Sequence, residues 1–311
     1  MKIILLSNAM YAVPSINFWG SQKTLSSVVC LAKPNIHSIA VEQAAKGMEL
    51  PFKRFFKAEL LTEFKQWLVE QQPDLVLVFG CGCKIPGELF PIPTFGFYNI
   101  HFSLLPAYRG RNPVFWQLKN GDSAGGITIH QMTEEYDAGP VLVQKEITIF
   151  PGENHGLYAG RLSMETVPLI DKAIEKIARN NADALSYQDG QAASYAPEPG
   201  LDDLRINWEK QSAKEIENLV NATNPDYGGA VTSFRNQIMR ILEVNAAEIN
   251  NPVESPAGTI VYADVNYGIF VACKNGQFLR INIIHSSEGI LSGFKMAGVG
   301  IRAGERFESD F

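Results

Sequence analysis

No apolar run in this 311-residue chain approaches the roughly 20 residues needed to cross a bilayer, which argues against a membrane-spanning role. Met1-Lys2 leads directly into Ile3-Ile4-Leu5-Leu6-Ser7 without the cleavage pattern of a secretory leader. That start predicts a first buried strand and a cytoplasmic protein. The strand is followed by Ser7-Asn8-Ala9-Met10-Tyr11, where a dinucleotide-binding protein would carry G-x-G-x-x-G, and there is no P-loop. Dinucleotide and ATP binding are therefore poorly supported. The four cysteines, Cys30, Cys81, Cys83 and Cys273, lack the paired CxxC spacing of a zinc site, and a chain of this length needs no disulfide framework. Reduced, partly buried thiols and no metal are expected. Basic charge is also scarce: 27 Lys and Arg face 33 Asp and Glu, a net charge of −6, which argues against wrapping a polyanion.

The N-terminal half alternates short runs rich in Val, Ile and Leu (residues 2–7, 25–32, 74–80 and 97–101) with helical patterns at Ile39–Gly47 and Leu60–Glu70. Such alternation predicts an α/β fold, a mostly parallel Rossmann-like sheet with helices on both faces. Asp74 to Gly80 is nearly all apolar, as in a central strand covered on both sides, and Gly80-Cys81-Gly82 lets the chain turn at its C-terminal end. Open sheets bind ligands at that end. A helix over Val114–Lys119, strands at Gly126–Met132 and Val141–Ile149, and a long helix over Leu157–Ala178 complete this domain. Between Asn181 and Leu204 the pattern weakens into Ser, Gly, Gln, Pro and Asp, as at a domain boundary. Beyond it, Ser212 with Glu215 signals a capped helix over Ala213–Ala222. Alternating runs at Ile238–Val244, Thr259–Ala263, Gly268–Cys273 and Phe278–Ile284 predict a small β-barrel-like, OB-like domain. The expected division is residues 1–190, a linker over 191–205, and residues 206–311. Tyr262, Tyr267, Phe270 and Phe278 read as core of the second domain.

The chemistry-bearing stretch runs from Tyr98 to Gly139. If Phe97–His101 is a strand, Asn99 and His101 leave the same face and offer a donor and a titratable group to one pocket. Asp137, before Ala138-Gly139-Pro140, belongs on a loop beside the sheet edge. A neutral His takes and returns a proton near neutral pH, a nearby carboxylate holds the ring, and an Asn amide donates to an oxyanion. These roles add up to acyl transfer with no Ser or Cys nucleophile. Taken singly, each residue has a plainer reading: a strand-end His, a capping Asn, a turn-forming Asp. The combination carries the case.

Asn99-x-His101-x-Ser103-Leu104-Leu105-Pro106, Tyr108-Arg109-Gly110-Arg111-x-Pro113, Asn120-Gly121-Asp122 and Asp137-x-Gly139 together resemble the signature of the folate-dependent formyltransferases. That family includes methionyl-tRNA formyltransferases, glycinamide ribonucleotide transformylases, amino-sugar N-formyltransferases and the hydrolase domain of formyltetrahydrofolate dehydrogenase. Tyr11-Ala12-Val13-Pro14-Ser15 and Ile206-Asn207-Trp208 extend the resemblance over nearly the whole chain. It implies Asn99, His101 and Asp137 as the catalytic trio and 10-formyltetrahydrofolate as formyl donor. It also implies folate contacts at Cys83, Lys84, Ile85 and Pro86, at Ser103, Leu104, Leu105 and Pro106, and at Thr133, Glu134, Glu135 and Tyr136.

For the acceptor, the basic loop that methionyl-tRNA formyltransferases carry after the second strand is represented only by Leu31–Ala40, with Lys33 before the helix. From Ile206 to Phe311, nine Lys and Arg face twelve Asp and Glu, whereas a tRNA-docking domain should be basic. Arg111 resembles an arginine of the amino-sugar enzymes that would bind substrate diphosphate or the folate tail. These features predict a small-molecule amine, a nucleotide sugar foremost, with Met-tRNA as the alternative and 10-formyltetrahydrofolate hydrolysis as a third reading. A folate sensor is disfavoured by the intact trio, and RNA binding through the barrel by its acidity. No membrane partner is expected, and a homodimer is left open.

Overall fold

The computed structural model describes residues 1–179, 185–249 and 254–309. The first residues of the expected boundary stretch, 181–184, and the last two of the chain lie outside it. Residue contacts divide the chain into two units, one of 1–113, 124–148 and 159–197, the other of 114–123, 149–158 and 198–311.

In the first unit, seven strands form one sheet: β1 (Ile3–Ser7), β2 (Leu25–Cys30), β3 (Phe52–Arg54), β4 (Leu75–Phe79), β5 (Phe97–His101), β6 (Ala124–Gln131) and β7 (Val141–Thr148). Their order is β3-β2-β1-β4-β5-β6-β7. The first five are parallel, and β6 and β7 run antiparallel at the edge. β1 and β4 are wholly buried and, apart from Ser7, wholly apolar, as in central strands covered on both faces. The order reverses between β1 and β4, and the crevice at their C-terminal ends is where such sheets take ligands. Asn8 and the Gly80–Cys83 turn occupy that end.

Helix α1 (Val13–Ser21), not foreseen from periodicity, opens with Pro14 in its first turn, where a missing N–H costs nothing. Helix α2 (Ile36–Gly47) is capped by Asn35, whose side chain accepts from the Ser38 N–H at 2.9 Å. Only five residues separate it from β2. Helices α3 (Glu63–Gln71) and α5 (His155–Ala178) match the expected patterns, as does α4 (Pro113–Asn120).

In the second unit, α6 (Ala213–Thr223) has the foreseen reciprocal cap between Ser212 and Glu215. Its strands are β8 (Ala230–Phe234), β9 (Gln237–Ala247), β10 (Ile260–Asp264), β11 (Gly268–Ala272), β12 (Phe278–Ser286), β13 (Gly289–Ser292) and β14 (Phe307–Glu308), with a short helix α7 (Gly293–Gly298). The antiparallel order is β10-β11-β12-β9-β8-β14, with β13 against β12. Thr259 bridges Arg306, and the Ile260 N–H donates to the Glu305 carbonyl at 2.8 Å, so the two ends of the sheet meet and it rolls into a barrel. Trp208 is fully buried, stacks on Phe307 at 5.6 Å and donates its indole N–H to Thr232 at 3.0 Å. Tyr262 and Tyr267 correct the expected core: they are 44% and 62% exposed, standing edge-on to each other outside the barrel. For Tyr262, on β10, alternation specifies two faces but not which one is covered; Tyr267 lies in the turn between β10 and β11.

Candidate active site

β5 carries Asn99 and His101 on one face, and the loop after β6 returns Asp137 to them. The Asn99 Nδ2 donates to Asp137 Oδ1 at 3.1 Å, and His101 Nδ1 stands 3.7 Å from Asp137 Oδ2. The Gly110 N–H donates to the same Oδ2 at 2.8 Å. His101 Nε2 lies 2.8 Å from the Tyr108 carbonyl, which requires an N–H at Nε2 and leaves Nδ1 as the site for a mobile proton. Burial pushes the His101 pKa below its ordinary value, against the pull of Asp137 and the Tyr108 carbonyl. Burial alone would raise Asp137, but His101, His130 and the Gly110 N–H outweigh it and hold the carboxyl well below the usual range. The centre therefore pairs a neutral imidazole with a carboxylate that stays ionised.

Two glycines make this geometry. A Cβ at Gly139 would lie 1.8 Å from the Gln131 carbonyl oxygen, so the Asp137-x-Gly139 spacing reflects backbone passing directly over backbone. At Gly110, φ is +117° and a Cβ would press on the Ala196 carbonyl at 2.8 Å.

Sequence reasoning missed three parts of the centre. His130 sits opposite Asn99 in the β5–β6 register, with Nε2 3.3 Å from both Asp137 Oδ1 and Asn99 Nδ2. The second part is Gln188, whose amide donates to the Asp137 and Gly139 carbonyls at 2.8 and 2.7 Å while accepting two bonds from the buried Arg109 guanidinium at 3.1 and 2.8 Å. The third is Ser194–Ala196, which runs beside residues 106–112. Backbone bonds join Arg109 to Ser194 and Ala196 at 2.8 and 2.7 Å, and the Ser194 hydroxyl accepts from the Tyr108 N–H at 2.9 Å. This stretch of the expected linker is an ordered strap on the site.

Gln188→Ala is expected to cost about 2–4 kcal/mol, because it strips a buried guanidinium of its acceptor and two carbonyls of their donors. Urea unfolding measures the loss, and kcat should fall with it. An unchanged midpoint would remove Gln188 from the support of Asp137.

The remaining expected contact residues fall into two groups. Ser103 is buried and donates to the Ala107 carbonyl at 2.6 Å, and the Leu105 N–H donates to the Thr128 hydroxyl at 3.2 Å, so these two hold their own turn while Leu104 and Pro106 stay half-buried. Cys83–Pro86 and Thr133–Tyr136 come together: Lys84 lies over the Tyr136 ring at 5.6 Å, and Glu134 would touch a Cβ at Gly87 at 2.9 Å. Arg111 is exposed, and its guanidinium is 3.6 Å from a Cβ placed on Gly82, beside the same loop. Among the described residues, no group of three or more His, Cys, Asp or Glu could hold a metal, and no helix is long and apolar enough to cross a membrane.

A doubly wound sheet with Asn99, His101 and Asp137 gathered at its strand ends, followed by a small barrel, offers the donor, the titratable ring and the carboxylate on which acyl transfer draws. The chain belongs to the formyl transferase family: formyl transferase matches residues 22–174, and formyl transferase, C-terminal domain, matches residues 201–292. It is 34% identical over 243 residues to a methionyl-tRNA formyltransferase of Geobacter metallireducens, covering 76% of this chain and 75% of that one. Among solved structures it resembles HypX from Aquifex aeolicus, in complex with tetrahydrofolic acid (17% identity, TM-score 0.64, 96% of this chain). The chain spans about half, 47%, of HypX. It also resembles the N-formyltransferase of Helicobacter canadensis with folinic acid and dTDP-3-aminofucose (16% identity, TM-score 0.63, covering 90% of this chain and 98% of that one).

Proposed function

We propose that this centre moves the formyl group of 10-formyltetrahydrofolate onto the nitrogen of a primary amine with no covalent enzyme intermediate. The observation that carries this is the convergence of Asn99, His101 and ionised Asp137 at the end of β5. The donor, when bound, supplies an electrophilic formyl carbon. The loops Cys83–Pro86 and Thr133–Tyr136 present it with two adjoining walls beside the strand-end crevice. Asn99 Nδ2 donates to the oxyanion that develops as the amine attacks. His101 takes the amine's proton at Nδ1 and delivers it to the departing nitrogen. Asp137 stabilises the imidazolium in between, and the Tyr108 carbonyl fixes the ring.

Because His101 acts as a base in its neutral form, activity is lost as pH falls through its pKa. Burial places that midpoint below the ordinary value of about 6.5. An NMR titration of the His101 ring should therefore give a midpoint below about 6.5, so that the neutral ring predominates at pH 7, and Asp137→Asn should move the midpoint lower still. A His101 midpoint above 7 would contradict this environment.

For the acceptor, the relatives support Met-tRNA first, since the Geobacter enzyme carries that name at 34% identity. This reverses the order in which the sequence features rank the two acceptors. A small amine, such as the amino group of a nucleotide sugar, is the second reading. It is favoured by the five-residue connection between β2 and α2 and by the acidic balance after Ile206. The test is 10-formyltetrahydrofolate turnover with initiator Met-tRNA, with amino-sugar nucleotides and with no amine, each at low and physiological salt. Efficient formylation of Met-tRNA at physiological salt supports the first reading. Turnover only with the small amine supports the second. Formate release that no amine accelerates would replace both with hydrolysis.

A further inference from the structure

The turn after β4 carries Cys81-Gly82-Cys83 at the strand-end crevice, and the two thiols are already in contact, Sγ to Sγ, at 3.4 Å. Both are half-buried and within reach of solvent, whereas Cys30 and Cys273 are sealed in the core, where burial pushes their thiols up to about 11 and about 12. The Asn8 amide stands 3.9 Å from the Cys81 sulfur, and the Arg111 guanidinium flanks Gly82. Gly82 lacks the side chain that would stiffen a three-residue ring closure.

We propose that Cys81 and Cys83 are a dithiol modification site that hydroperoxides oxidise to a Cys81–Cys83 disulfide. The Cys83 sulfur attacks the terminal peroxide oxygen; the O–O bond breaks and an alcohol, or water from hydrogen peroxide, leaves. The Cys81 sulfur then attacks the resulting sulfenic acid, forming the S–S bond and expelling water with the Cys81 proton. Two thiols and one hydroperoxide give one disulfide, one alcohol and one water, so the dithiol is oxidised by two electrons and the peroxide is reduced by two. The contact admits either sulfur as donor, but the Cys81 thiol also faces the Cys83 carbonyl at 3.6 Å; with Cys81 as the donor and Lys57 nearby, Cys83 is lowered to about 7 while Cys81 is raised, which makes Cys83 the attacking sulfur.

Closing 3.4 Å to the roughly 2.05 Å of a disulfide must pull on the Cys83–Pro86 wall, whose Lys84 rests on Tyr136. Oxidation is therefore expected to lower donor turnover about tenfold, reversibly, a consequence that rests on the folate reading above.

The test is brief treatment of the whole protein with cumene hydroperoxide at neutral pH, alkylation of free thiols, and peptide mass spectrometry. The expected product is a peptide spanning Cys81 and Cys83 that has lost two hydrogens and regains them with dithiothreitol. Cys30 and Cys273 should be alkylated only after unfolding. In Cys81→Ser, no bridge should form and Cys83 should instead be trapped by dimedone as the sulfenic acid. Sulfinic acid on Cys83 with Cys81 still free, or four alkylatable thiols after treatment, would overturn the site. Disulfide formation with unchanged donor turnover would overturn its coupling to the crevice. If the untreated protein does not turn over the donor, the proposed function fails and the mass readout still decides the thiol chemistry.

Discussion

Asp137→Asn should lower kcat/KM for formyl transfer by about 10³–10⁴ while the fold persists. The substitution keeps the size of the side chain and removes its charge, so the imidazolium that forms on His101 loses the carboxylate 3.7 Å away. It also breaks a set of acceptors that no amide can replace. Oδ1 faces the Asn99 amide and His130 Nε2, and Oδ2 faces the Gly110 N–H. Whichever way an Asn amide is turned, its NH2 meets a donor. The ring of His101 would keep its Tyr108 partner, so the loss should fall on kcat rather than on donor binding. Steady-state kinetics with whichever amine supports 10-formyltetrahydrofolate turnover, alongside circular dichroism and a urea midpoint, measure this. An Asp137→Asn enzyme within about tenfold of the parent would remove the carboxylate from the chemistry.

The parts of this site that could be read from the chain are those set by local geometry. Two residues apart on a strand means one face, which brings Asn99 and His101 together, and apolar runs at 74–80 and 97–101 place their strand in the middle of a parallel sheet. His130 was illegible because its position depends on β6 pairing antiparallel with β5 in one register, Asn99 opposite His130, and long-range register is not written in periodicity. The signal was nonetheless present, since Thr128 and His130 alternate within a run recognised as a strand. Ser194–Ala196 was hidden for a different reason. Its order comes from backbone bonds to residues 106–112, which leave no hydrophobic pattern, so a segment rich in Ser, Gly and Gln reads as a boundary while serving as a strap. The exposed Tyr262 shows the same limit from the other side: it alternates along β10, but which face of a rolled sheet meets solvent depends on how its ends close, whereas Tyr267 is exposed because it lies in the turn between β10 and β11.

Gly139→Ala should be more damaging than any other single-methyl addition to the active-site loop. The new Cβ would lie 1.8 Å from the Gln131 carbonyl oxygen and 2.9 Å from its carbon, and neither can swing aside as a flexible side chain would. Gln131 is pinned by its own N–H to the Pro140 carbonyl at 2.9 Å, and Gly139 by Gln188 at 2.7 Å. Reaching an ordinary contact requires the crossing chains to separate by roughly 1.5 Å, the scale on which catalytic misplacement costs about 10²-fold or more. Asp137 is only two residues upstream, held at φ +52°, and must move with it. The expected result is therefore a joint loss: about 3 kcal/mol or more of stability and at least about 10²-fold in kcat/KM. Gly160→Ala is the control, since a Cβ there meets nothing within 4 Å on helix α5 and should raise stability by about 0.5–1 kcal/mol. If Gly139→Ala unfolds at the parental urea midpoint with parental kinetics, the backbone crossing does not set the position of Asp137. If stability falls but kcat/KM does not, Asp137 is held from the Gln188 and Gly110 side alone.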